Sequence, residues 1–109
     1  MNSKRKGSAG ERELLHMLEA HGIAAHRNLQ QFVGGVDNPD IAAEVGGIPL
    51  HVEVKRQERL RLSAAVSQAV HDANGHALPV VVHRSNRQPW LLTVRLEDVL
   101  RLLHESEMG

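Results

Sequence analysis

Apolar positions in the first fifth of the chain fall with helical spacing. Leu14, Leu15, Leu18 and Ile23 form one stripe, Ser8 with the acidic Glu11 and Glu13 opens the pattern, and Gly22 closes it. A helix is therefore expected over residues 8–21, behind a basic, flexible leader at 1–7. The period then changes. Residues 23–27 read as a short strand, and residues 30–39 are rich in turn formers. Residues 40–45 and 48–55 read as strands joined through Gly46-Gly47, the signature of a tight hairpin. A charged connection leads to a second helix over 63–74, with Ser63 as the expected N-cap and Gly75 as its stop. Residues 78–83 are a short apolar strand of the kind buried on both faces. Residues 90–95 form a last strand and 96–104 a last amphipathic helix, followed by an acidic tail at 105–109.

The order αβββαββα has direct consequences for topology. Three consecutive strands make an antiparallel meander, and the helix after the third is long enough for a crossover into parallel pairing. The expected fold class is α/β, a mixed sheet flanked by helices, in a single domain of 109 residues.

Composition narrows the function. Apolar residues make up 41% and charged residues 24%, the balance of a globular chain. Phe32 and Trp90 are the sole aromatics, so binding by base stacking on aromatic platforms has little to work with. Cysteine is absent, which excludes disulfides, thiol nucleophiles and thiolate zinc sites. The basic start is followed by Gly7-Ser8-Ala9-Gly10-Glu11 rather than an apolar run, so neither a signal peptide nor a membrane span is expected, and a cytoplasmic location is. The formal net charge of zero hides an asymmetry. Residues 1–95 hold 12 Lys/Arg against 9 Asp/Glu, and residues 96–109 hold 1 against 4.

Candidate chemistry sits in the hairpin. Period-two alternation places Leu50, Val52 and Val54 on one face of the third strand, and His51, Glu53 and Lys55 on the other. Pairing outward from Gly46-Gly47 brings Asp40 beside Glu53. Strands about 4.8 Å apart let two such carboxylates share one divalent cation, which suppresses their mutual repulsion. Mg²⁺ suits oxygen donors and activates both water and a phosphate. The Val54 carbonyl is a natural further ligand, and Lys55 is placed to offset charge developing on phosphate.

Pro39-Asp40, twelve intervening residues and Glu53-Val54-Lys55 resemble the PD-(D/E)xK nuclease motif. Lys6-Gly7 and Glu11-Arg12-Glu13-Leu14 resemble the opening of archaeal-type Holliday junction resolvases, and His21-Gly22-Ile23 with Arg27 resembles their first helix end and strand. The resemblance implies a restriction-endonuclease-like αβββαβ core and Mg²⁺-dependent DNA cleavage, with Mn²⁺ able to substitute. It implies a catalytic set of Glu11, Asp40, Glu53, Lys55 and Gln68, with Glu11 touching the metal through water. It also implies DNA contacts from Arg12 and Arg27, beside those expected of Lys4, Arg5, Lys6 and Arg56, and a homodimer on branched or junction DNA. Two features depart from the family: the chain is neutral, and its arginines are scattered rather than gathered into a broad basic surface.

Several positions have plainer roles. His16, His21 and His26 are five apart and do not stack on one helix face, which argues against a histidine zinc site. His51 is expected as a solvated edge residue. Glu13 lies about 200° around the helix from Glu11 and is expected to face solvent. Gly34-Gly35 is expected as a mobile loop beside the site. Leu91, Val94, Leu96, Val99 and Leu103 are candidates for a dimer interface or for core. A nicking, flap or single-strand nuclease of the same fold is the alternative activity. A non-catalytic DNA-binding or assembly module is the second, disfavoured by the intact Asp40, Glu53 and Lys55.

Overall fold

A computed structural model describes residues 3–27 and 39–108, with side chains over 9–27 and 39–105. Gly34-Gly35 and the side chains of Lys4, Arg5 and Lys6 lie outside the described residues. The chain runs α1 (Ser3–Ala20), β1 (Ala24–Arg27), β2 (Ile41–Val45), β3 (Ile48–Arg56), α2 (Leu62–Ala73), β4 (Leu78–Arg84), β5 (Leu91–Val94) and α3 (Leu96–Met108). The five strands lie in sequence order. The β1/β2, β2/β3 and β4/β5 pairs are antiparallel, while β3/β4 is parallel across the α2 crossover. This is the expected mixed sheet.

Each helix covers one face. Leu14, Leu15 and Leu18 of α1 pack over Ile41, Val52 and Val80, the larger core cluster. On the opposite face Ala65 and Ala69 of α2 pack against Val81. Alanine has no side chain beyond Cβ, so this stripe lets α2 sit close to the strand that carries Glu53. Val80, Val81 and Val82 are all buried, as expected for a strand covered on both faces.

The helix ends show where local signals prevailed and where they did not. At the end of α1, Gly22 has φ +75°, Gly22 N–H donates to the Glu19 carbonyl at 2.9 Å, and Ile23 N–H donates to the Leu18 carbonyl at 3.0 Å. That is a Schellman cap, with Ile23 and Leu18 joined in the same core cluster. The start of α1 differs from expectation: the helix begins at Ser3, so residues 4–6 are helical rather than a flexible leader. Ser63 is likewise not the N-cap of α2. Arg61 holds that place without a side-chain cap bond, and Asn74, in the left-handed conformation, ends the helix ahead of Gly75. The last helix continues to Met108, taking in most of the acidic tail.

One glycine matters to the site. Gly10 is buried within α1, and a Cβ there would meet Arg56 Cβ at 3.2 Å. Its bare backbone lets the end of β3 come hard against the helix, next to Glu11.

Candidate active site

Gly46 and Gly47 have φ +57° and +82°, the paired positive values of a tight hairpin turn. They fix the register from Val45↔Ile48 to Ile41↔Val52. One step further out, Asp40 stands across from Glu53. Asp40 Oδ2 accepts the Val54 N–H at 2.8 Å, which ties the Asp40 carboxylate to the strand that carries Glu53. The Asp40 carboxyl is pushed up from 3.8 to about 7, first by burial and then by the Glu53 charge, with Glu11 adding to the repulsion. The Val54 N–H works against these and is too weak to prevail.

Glu11 reaches the same region from α1. It is 6% exposed, and its Oε2 accepts bonds from Arg27 Nε at 3.1 Å and from an Arg27 terminal nitrogen at 2.9 Å. Three carboxylates thus converge from a helix and two strands, with one arginine among them. Lys55 of β3 and Gln68 of α2 border a common cleft of about 340 Å³. The donors are oxygens, the set that hard cations such as Mg²⁺ and Mn²⁺ prefer.

A search of curated proteins returns no match. The family model described as "Phage putative PDDEXK endonuclease" matches residues 2–108. A solved structure of Hjc, a Holliday junction resolvase from the archaeal hyperthermophile Archaeoglobus fulgidus, is similar with a TM-score of 0.66 and 34% identity, over 81% of this chain and 76% of that one. The chain belongs to the phage PDDEXK endonuclease family. Its five-stranded mixed sheet with three helices is the α/β fold expected from the sequence.

Within this PDDEXK endonuclease, several expected roles are revised. His51 is not a solvated edge residue. It is 2% exposed, and its Nε2 lies 2.9 Å from Glu53 Oε1. Glu13 does not face solvent freely either. It is half-buried, accepts bonds from Arg84 and, at 3.0 Å, from Trp90 Nε1, and stands 3.7 Å from Arg56 Nε. Two guanidiniums share that one carboxylate, and the Nε atoms of Arg56 and Arg84 are buried without a hydrogen-bond partner among the described residues. Arg27 and Arg56, expected on DNA, are therefore both engaged by glutamates of α1, whereas Arg12 is exposed. Residue-by-residue pattern matching missed Asp72 on α2. One oxygen of Asp72 and one ligand atom each of His51 and Glu53 lie within 4.8 Å of one another. The available signal was its position four residues after Gln68, on the same flank of the helix.

Proposed function

We propose that this protein is a divalent-metal-dependent DNA endonuclease of the Holliday junction resolvase type, using Asp40 and Glu53 to hold Mg²⁺ or Mn²⁺. The observation that carries this reading is the placement of Asp40 across from buried Glu53 at the end of the hairpin register, with buried Glu11 beside them, which also pushes the Asp40 carboxyl up to about 7. Half-buried Asp40 and buried Glu53 face one another and repel, and a cation between them would turn that liability into a binding site. When bound, the metal supplies Lewis-acid activation of the scissile phosphate and of water. The chain's own residues do the rest. Glu11 adds a third carboxylate for water held near the metal. Lys55 offsets charge that builds on the phosphate, and Gln68 lines the approach to it. Exposed Arg12 and the basic residues Lys4, Arg5 and Lys6 are assigned to phosphates of the DNA backbone.

The similarity to Hjc, a Holliday junction resolvase, supports a junction as the substrate. Two symmetric cuts require two active sites, and hence a homodimer. Leu96, Leu100 and Leu103 form an exposed stripe on α3 at positions i, i+4 and i+7, with Leu92 exposed on β5. Val94 and Val99 line an apolar groove on the α1 face of the sheet together with Leu92. Exposed leucines around an apolar groove suit a partner copy. Among the described residues no helix is long and apolar enough to cross a membrane.

The test is cleavage of labelled four-way junction, flap, single-stranded and linear duplex DNA, with Mg²⁺ and with EDTA. Paired symmetric cuts on the junction, abolished by EDTA, are expected. Cleavage of flap or single strands in preference redirects the substrate, and no metal-dependent cleavage of any substrate sinks the nuclease reading.

A further inference from the structure

His51 and Glu53 alternate onto the same face of β3, where residues two apart are about 6.6 Å from one another along the strand. On an open sheet face such side chains splay into water. Here they lean together: Nε2 of His51 meets Oε1 of Glu53 at 2.9 Å, with side chains 2% and 6% exposed. Burying an imidazole and a carboxylate together is expensive unless each satisfies the other, and a well-packed apolar pair at these positions would serve the fold at least as well.

The geometry explains what the pair does for the site. Glu53 is a carboxylate whose three side-chain torsions leave it free to swing, and a metal ligand must not. His51 donates its Nε2 proton to one oxygen of that carboxylate, while Asp40, the residue before β2, stands across from Glu53. The His51 bond limits the orientations of Glu53 before any ligand arrives. Asp72, on α2, brings an oxygen within 4.8 Å of the His51 and Glu53 atoms, and its negative charge favours an imidazole N–H directed into this cluster. The alanine stripe that seats α2 close to the sheet brings Asp72 there.

We propose that His51 is a positioning residue for the metal-binding carboxylate of Glu53, acting through Glu53 rather than on the metal, with Asp72 close by. This rests on the nuclease reading above. Groups that orient a metal ligand by hydrogen bonding change metal affinity or activity by about 10–100-fold when removed.

The experiment measures Mn²⁺ affinity of the full chain by titration calorimetry, and DNA cleavage alongside it, for wild type, His51→Leu, His51→Gln and His51→Asn. Glutamine reaches about as far as the imidazole Nε2 and keeps a donor; asparagine is a methylene shorter and does not reach Glu53. His51→Leu and His51→Asn should bind Mn²⁺ about 10–100-fold more weakly, with kcat falling and KM for DNA unchanged. His51→Gln should return affinity to within a few-fold of wild type. Should His51→Leu fail to fold by circular dichroism, the Gln and Asn variants carry the same comparison. A folded Leu or Asn variant with wild-type Mn²⁺ affinity overturns the proposal, as does a folded Gln variant no better than Asn. Hyperfine coupling from an imidazole nitrogen in the electron spin resonance of the Mn²⁺-loaded wild type also overturns it, because it makes His51 a direct ligand. Failure of wild type itself to bind Mn²⁺ strikes the nuclease reading instead.

Discussion

Arg27 grips Glu11 through two nitrogens on a single oxygen, Nε at 3.1 Å and a terminal nitrogen at 2.9 Å from Oε2. The pair joins the last residue of β1 to the second half of α1's first three turns, so it ties the helix to the edge strand as well as orienting a carboxylate. Glu11 side-chain exposure is 8% and that of Arg27 is 18%, which makes water a poor substitute for either partner. Arg27→Met should therefore cost roughly 2–4 kcal/mol, because it leaves Glu11 buried and unpaired. Combining it with Glu11→Gln should cost less than the two single changes added together. Urea denaturation of the three variants checks this, and a loss under about 0.5 kcal/mol for Arg27→Met contradicts it.

Asp40 should make the metal-free protein less stable as pH rises. Its folded value of about 7 lies above its ordinary 3.8, so the native state holds a proton that the unfolded chain has already released. Below the ordinary value both states are protonated and nothing is lost. Between it and about 7 stability falls, and above about 7 the loss is complete. Asp40→Asn should remove this slope and raise stability in EDTA at neutral pH, as read from urea midpoints across the range. A cation must displace the same proton, so metal binding at mildly acidic pH should release close to one proton, and markedly fewer in alkali. Calorimetry in buffers of different ionisation enthalpy measures that release.

Glu13, two residues after Glu11, anchors α1 from another side. Its carboxylate takes Arg84 and Trp90 Nε1 and faces Arg56, while Gly10 lets Arg56 pack against the helix backbone. Glu13→Ala would leave two part-buried guanidiniums and an indole N–H without their shared acceptor. The expected loss is roughly 2–3 kcal/mol. Thermal melting should show a smaller loss for Glu13→Gln, whose carbonyl still accepts one of these bonds.

The contrast between Glu11 and Glu13 shows how far the amino-acid sequence reaches. The hairpin was legible because Gly46-Gly47 prescribes both the turn and the register, and register alone delivers Asp40 to Glu53. The crossover and the parallel β3/β4 pairing followed from element order. Glu11 was legible from its place one turn before Leu15. Glu13 was not, because its partners Arg84 and Trp90 are 71 and 77 residues away and no local pattern announces them. His51 was misjudged for a related reason. Alternation tells which face a side chain takes but not what covers that face; here α2 packs on that face at Val81 and brings Asp72 near His51. The start of α1 was placed too late because Ser8 followed by Glu11 and Glu13 reads as a helix opening and residues 1–7 as a basic leader. At Gly10 the packing of Arg56 makes the bare backbone useful inside the helix.

The proposed dimer makes its own prediction. Leu96 is 70% exposed, Leu100 54% and Leu103 58%, all on one side of α3. Leu96→Glu with Leu103→Glu places charge on that stripe without touching the core cluster. Light scattering should then show wild type as a dimer and the double variant as a monomer. The monomer should retain metal binding and nick junctions without pairing its cuts. A wild-type monomer at micromolar concentration would remove the symmetric-cut mechanism.

Lys55 separates cleavage from binding. It shares a cleft with Gln68 on the face that carries Glu53, and it has no part in the α1 core. On the proposed mechanism Lys55→Ala removes a positive charge where negative charge would build during phosphodiester hydrolysis, and kcat should fall about 100–1,000-fold, as for a comparable electrostatic donor. Asp40→Asn should do at least as much by weakening the cation site. Neither residue supplies the bulk of phosphate-backbone contacts, so junction affinity measured in Ca²⁺ should stay within a few-fold of wild type in both. Retained binding with lost cleavage places both residues in the chemistry, whereas parallel loss of binding and cleavage in folded variants would move Lys55 from the reaction to the DNA interface.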